Sequence, residues 1–73
     1  MSLLSDFNQV KHMIANDVII EEYNNETLEA YIPNQNLVSL TDKIKRVALE
    51  LEAKYTRPVH IYVSKSRCII KLR

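Results

Sequence analysis

The sequence contains no glycine and no tryptophan, one cysteine and two prolines in 73 residues. Each shortage closes off a class of structure or chemistry. Phosphate-cradling loops and dinucleotide fingerprints need glycine where the backbone approaches the ligand, so both are excluded. A single cysteine, Cys68, cannot form an internal disulfide, and no CxxC pair or Cys/His cluster offers a zinc staple. No apolar run exceeds three residues, too short to span a bilayer, and the opening MSLLSDFNQ lacks the basic and apolar regions of a signal peptide. A cytosolic protein is the expectation. A chain of this length buries only about 60% of its extended surface. With neither disulfide nor metal, self-association is the common remaining route to stability.

Acidic residues are missing altogether after Glu52, and the net charge of +1 conceals this asymmetry. Residues 1–36 hold Lys11 against six acids, a net of −5, whereas residues 37–73 hold nine bases against three acids, a net of +6. Such a division points to association or to nucleic-acid contact rather than to a particular fold.

The clearest element is a helix over Ser39–Tyr55. Leu40, Ile44, Val47, Ala48, Leu51 and Tyr55 form one apolar stripe at helical spacing, and charged residues occupy most of the other face. Ser39 is placed to cap the first amides, Asp42 and Lys54 suit the two ends of the helix dipole, and Pro58 stops the helix. A weaker helix over residues 2–15 follows from Leu3, Phe7, Val10 and Ile14, with Ser2 or Ser5 as cap and Asn16 as a left-handed stop.

Four strands complete the chain. Asp17–Tyr23 and Thr27–Ile32 flank Asn24-Asn25-Glu26, where asparagine supplies turn conformations in the absence of glycine. A three-residue loop puts Val18 and Ile20 on one face with Leu28, Ala30 and Ile32, and sets Glu21 opposite Glu29. A two-residue loop scatters the apolar residues. That carboxylate pair is unfavourable unless a basic strand lies nearby. Arg57–Ser64 and Arg67–Arg73 form a second hairpin around Lys65-Ser66, pairing Val59 with Leu72, Ile61 with Ile70 and Val63 with Cys68. The expected architecture is α+β: order αββαββ, a four-stranded antiparallel sheet and both helices on one face, in a single domain over residues 1–73. The strand order is left open.

The element order is similar to that of the LAGLIDADG homing endonucleases, which read DNA with a sheet face. Their signature helix contains glycine, this chain has none, and no activity is carried over.

No arrangement of side chains points to catalysis. Cys68 alternates inward beside Val63 and reads as a buried thiol. His12 and His60 lie on different elements without a second ligand at metal spacing. Glu21/Glu22 and Glu50/Glu52 diverge. The expectation is a non-enzymatic protein without cofactor, metal or small-molecule substrate. The outer sheet face is the candidate site: Tyr23, Tyr31, Tyr62, Ile19 and Ile69 gather there, ringed by charged residues. Cross-strand tyrosines can simply support a sheet, but a contiguous aromatic patch is also the usual sign of a protein contact. The preferred reading is a small interaction or regulatory module that self-associates, as a homodimer, through this face or binds another protein. The alternative is nucleic-acid binding by the C-terminal hairpin Arg57–Arg73, with Lys65, Arg67, Lys71 and Arg73 on phosphates and His60 and Tyr62 stacking on bases.

Overall fold

The structure, a computed structural model, describes residues 2–73. Helix α1 (Leu3–Val10) leads into a 3-10 turn at Lys11–Met13, then strands β1 (Ile19–Tyr23) and β2 (Thr27–Tyr31). A second 3-10 turn at Leu37–Leu40 runs into helix α2 (Thr41–Tyr55), followed by β3 (Val59–Val63) and β4 (Cys68–Leu72). The four strands form one antiparallel sheet in the order β1-β2-β4-β3. This is the expected α+β architecture. The inner face, with Leu28, Ala30, Val59, Cys68, Ile70 and Leu72, joins Leu3 and Phe7 of α1 and Ile44, Val47, Ala48 and Leu51 of α2 in one core.

The core differs from the expected one at its margins. Val10, Ile20, Leu40, Ile61 and Val63, all on the apolar faces, are only partly buried, whereas Leu37, in the connector, is almost fully covered. Leu37 owes its burial to the connector. Asn36 accepts from the Val38 amide at 3.0 Å and the Leu37 amide donates to the Lys65 carbonyl at 3.0 Å, which pins this 3-10 turn onto the β3–β4 loop. Ser39 therefore sits inside the 3-10 turn, its hydroxyl donating to the Asn36 carbonyl, instead of capping α2. At the chain start, Ser2 is the cap, accepting from the Ser5 amide at 3.1 Å. Asn16 does not take a left-handed conformation; among the described residues, Asn34 and Thr56 do.

The β3–β4 hairpin has the expected register, with Val59 opposite Leu72, Ile61 opposite Ile70 and Val63 opposite Cys68. Its turn is Lys65-Ser66, closed by the Ser64 amide on the Arg67 carbonyl at 2.9 Å. The β1–β2 hairpin combines both loop lengths. Its tip is a tight turn in which Asn24 Oδ1 accepts from the amides of Glu26 and Thr27, each at 2.8 Å, so that Tyr23 pairs with Leu28 and Glu22 with Glu29. The buried end keeps the register that the apolar pattern demands, Ile19 with Tyr31 and Ile20 with Ala30. A β-bulge at Glu21 absorbs the one-residue difference. Glu22, not Glu21, thus stands directly opposite Glu29.

Thr56 closes α2 with φ 53°, its amide donating to the Glu52 carbonyl at 2.8 Å. A β-branched residue pays for this left-handed conformation, which glycine adopts freely. Thr56→Gly is therefore expected to stabilise the fold by roughly 0.5–1 kcal/mol, after allowing for the greater freedom of glycine in the unfolded chain. An unchanged or lower urea midpoint would show that the cap carries no strain.

Candidate interaction face

The sheet order brings the acidic hairpin against the basic one, since β2 lies beside β4. Arg67, just before β4, reaches across to β2. Its guanidinium lies 2.7 Å from Glu29 Oε1 and 3.6 Å from Glu21 Oε2. These carboxylates raise the arginine pKa still further, led by the hydrogen bond to Glu29. The bulge gathers Glu21, Glu22 and Glu29 on one part of the outer face, and Arg67 is the cation that makes this cluster tolerable.

Around that ion pair the outer face carries Ile19 and Tyr31, paired across β1 and β2, and Tyr62 and Ile69, paired across β3 and β4. Glu29 links the two halves, being opposite Ile69 on β4. Ile19 is 41% and Tyr62 55% exposed, and Tyr31 and Ile69 are half-buried. Among the described residues, no helix packs on this side. Tyr23 departs from the expected set. Past the bulge its register matches Leu28, a core residue, so it leaves the alternation of the outer face. It stands at the rim, beside a shallow depression of about 140 Å³ shared with Glu22, Thr27, Glu29 and Ile69.

Of the candidate nucleic-acid contacts, His60, Lys71 and Arg73 fall near one another in the β3–β4 register, while Arg67 and Lys65 are set apart. His60 and Lys71 are cross-strand neighbours and both are exposed. Arg67 is engaged with glutamates, and Lys65 lies in the far turn, its carbonyl held by Leu37. Arg73 lies past the other end of β4, where its carbonyl accepts from Arg57 Nε at 2.8 Å.

A polar cluster on the helix side escaped the sequence reading. Asp6, 3% exposed, receives Lys54 Nζ at 2.8 Å and the hydroxyl of Tyr55, which ties the start of α1 to the end of α2. The hydrogen bond from Lys54, then that from Tyr55, holds the Asp6 carboxyl below its ordinary range. Burial, then the adjoining carboxylate, pushes the Tyr55 hydroxyl far above its own. The signal for this cluster is a polar residue one position before Phe7 on a short helix, and by itself it names no partner. Cys68 is 3% exposed, and burial pushes its thiol up to about 11, which leaves it protonated and unreactive at neutral pH. Among the described residues, no group of His, Cys, Asp and Glu is placed to hold a metal, and no helix is long and apolar enough to cross a membrane. Comparison with family models, with curated proteins and with solved structures finds no match to this chain.

Proposed function

We propose that this chain is a small, non-enzymatic protein-interaction module that self-associates with the tyrosine-bearing side of its sheet at the contact. The observation that carries the reading is the ion pair of Arg67 with Glu29. It engages Arg67 inside the molecule, with the carboxylates of Glu29 and Glu21 2.7 and 3.6 Å away. A phosphate backbone meets repulsion there. A protein surface meets Ile19, Tyr31, Tyr62 and Ile69 within a charged rim, the composition of a contact patch. The juxtaposed His60 and Lys71 favour the second reading, nucleic-acid binding along the basic hairpin.

The test is solution mass by light scattering over a range of protein and salt concentrations, joined to a nucleic-acid titration. Self-association is expected to give twice the 8.5 kDa chain mass, to survive high salt, and to weaken about tenfold or more in Tyr62→Ala. A monomer at every concentration, with nucleic-acid binding that falls steeply with salt and is lost in Lys71→Glu, would replace this reading by the second.

A further inference from the structure

The two edges of the sheet differ in a way that bears on how copies of this chain meet. An exposed edge strand presents unpaired amides and carbonyls and invites a further strand. The β1 edge is protected: it carries the bulge at Glu21 and two adjacent glutamates. The β3 edge, Val-His-Ile-Tyr-Val, has no bulge, no proline and no lysine, arginine or acidic residue.

The register shows which of its backbone groups are free. The Arg73 amide donates to the Pro58 carbonyl at 3.0 Å and the Ser64 amide to the Arg67 carbonyl at 2.9 Å. Hydrogen-bonded pairs alternate along an antiparallel ladder, so His60 and Tyr62 also bond to β4, while Val59, Ile61 and Val63 point their amides and carbonyls to the open edge. Glu52 already accepts from the Val59 amide at 2.8 Å. The amides of Ile61 and Val63 and the carbonyls of Val59, Ile61 and Val63 remain.

We infer that two copies pair along β3, antiparallel about a two-fold axis at Ile61, to form one eight-stranded sheet. This inference rests on the self-association proposed above but sets the contact at the β3 edge, where Tyr62 is the residue of the tyrosine face that meets the partner. Ile61 then exchanges two hydrogen bonds with the partner's Ile61, and each Val63 amide meets a Val59 carbonyl of the other copy. Four bonds form without displacing Glu52. On the outer side, Tyr62 lies opposite the partner's His60, twice, and the two tyrosine faces become continuous. On the helix side, the axis passes a shallow groove of about 230 Å³ between α2 and β3, lined by Lys45, Ala48, Leu49, Glu52, Val59 and Ile61. Leu49 stands out of it, 62% exposed. The two-fold runs the α2 helices antiparallel, so Leu49 approaches its own copy while Lys45 of each chain approaches the partner's Glu52. The occupant that fits a groove with an apolar middle, a cation at one end and an anion at the other is therefore the same groove reversed.

The test joins crosslinking to solution mass. Hydrogen-bonded partners in an antiparallel pair have Cα atoms about 5.5 Å apart, within disulfide range. Ile61→Cys is expected to give a covalent dimer under mild oxidation, whereas Asn25→Cys, at the exposed β1–β2 turn, is not. Leu49→Glu, at an exposed position that the monomer does not need, is expected to weaken the dimer at least tenfold with an unchanged circular dichroism spectrum, and it reports even if Ile61→Cys fails to fold. A dimer that resists Leu49→Glu would overturn edge pairing while leaving self-association through the sheet face intact, as would a dimer in which a folded Ile61→Cys does not crosslink. A monomer at all concentrations would overturn both.

Discussion

Phe7→Ala is expected to leave a protein that is largely unfolded or only weakly cooperative at 37 °C. Phe7 is the only phenylalanine, it is fully buried, and it sits on the one face of α1 that enters the core. Truncating a buried phenylalanine costs about 3–5 kcal/mol, part lost transfer free energy and part the cavity left behind. A domain of this length holds on the order of 4–11 kcal/mol in all. No disulfide limits the unfolded chain, so the loss falls directly on the fold. A short helix that docks through Leu3, Phe7 and the Asp6 contacts loses its largest apolar anchor, and α1 should detach first. Urea denaturation with hydrogen exchange on residues 3–10 checks this. A loss of less than about 1 kcal/mol would mean that α1 is not integral to the core.

The second large effect is at Asp6. Asp6→Ala removes the acceptor for Lys54 and for the Tyr55 hydroxyl in one step, and is expected to cost about 1–3 kcal/mol. The figure stays below that of a fully buried pair because the Lys54 side chain is 38% exposed and regains water when its partner is lost. The same contacts set a pH dependence. The folded carboxyl titrates below its ordinary 3.8, so the stability it brings is complete above that value and is lost as pH falls through the lower folded value. Asp6→Asn should flatten this part of the acid limb of a stability–pH profile. An acid limb identical to that of the parent would show that Asp6 is not held ionised by Lys54 and Tyr55.

Most of the architecture was legible from local patterns. The stripe from Ile44 to Leu51 and the alternation of Val59, Ile61, Val63 with Cys68, Ile70, Leu72 each have one solution that buries their apolar side. Helical and strand periods are local properties, so element type, the β3–β4 register and the one-sided placement of the helices follow from the chain itself. The β1–β2 hairpin was only half legible. The apolar pattern dictated the pairing of Ile20 with Ala30, but Asn24 imposed its own tight turn, and the two differ by one residue. The bulge at Glu21 reconciles them and, in doing so, turns Tyr23 out of the face that alternation assigned to it.

What only the tertiary structure decided are the relations between segments far apart in sequence. Nothing local determines that β2 neighbours β4, yet that adjacency brings Arg67 onto Glu29 and ties up one of the candidate phosphate contacts. It also leaves β1 and β3 as edges, one protected and one open. The burial of Asp6 under Lys54 and Tyr55 has the same character, since a polar residue on a short helix is dry only once another helix covers it. Hydrophobic periodicity is written in neighbouring residues. The pairing of strands and of opposite charges is settled when distant segments pack, because the free energy of those contacts exists only after the chain has closed upon itself.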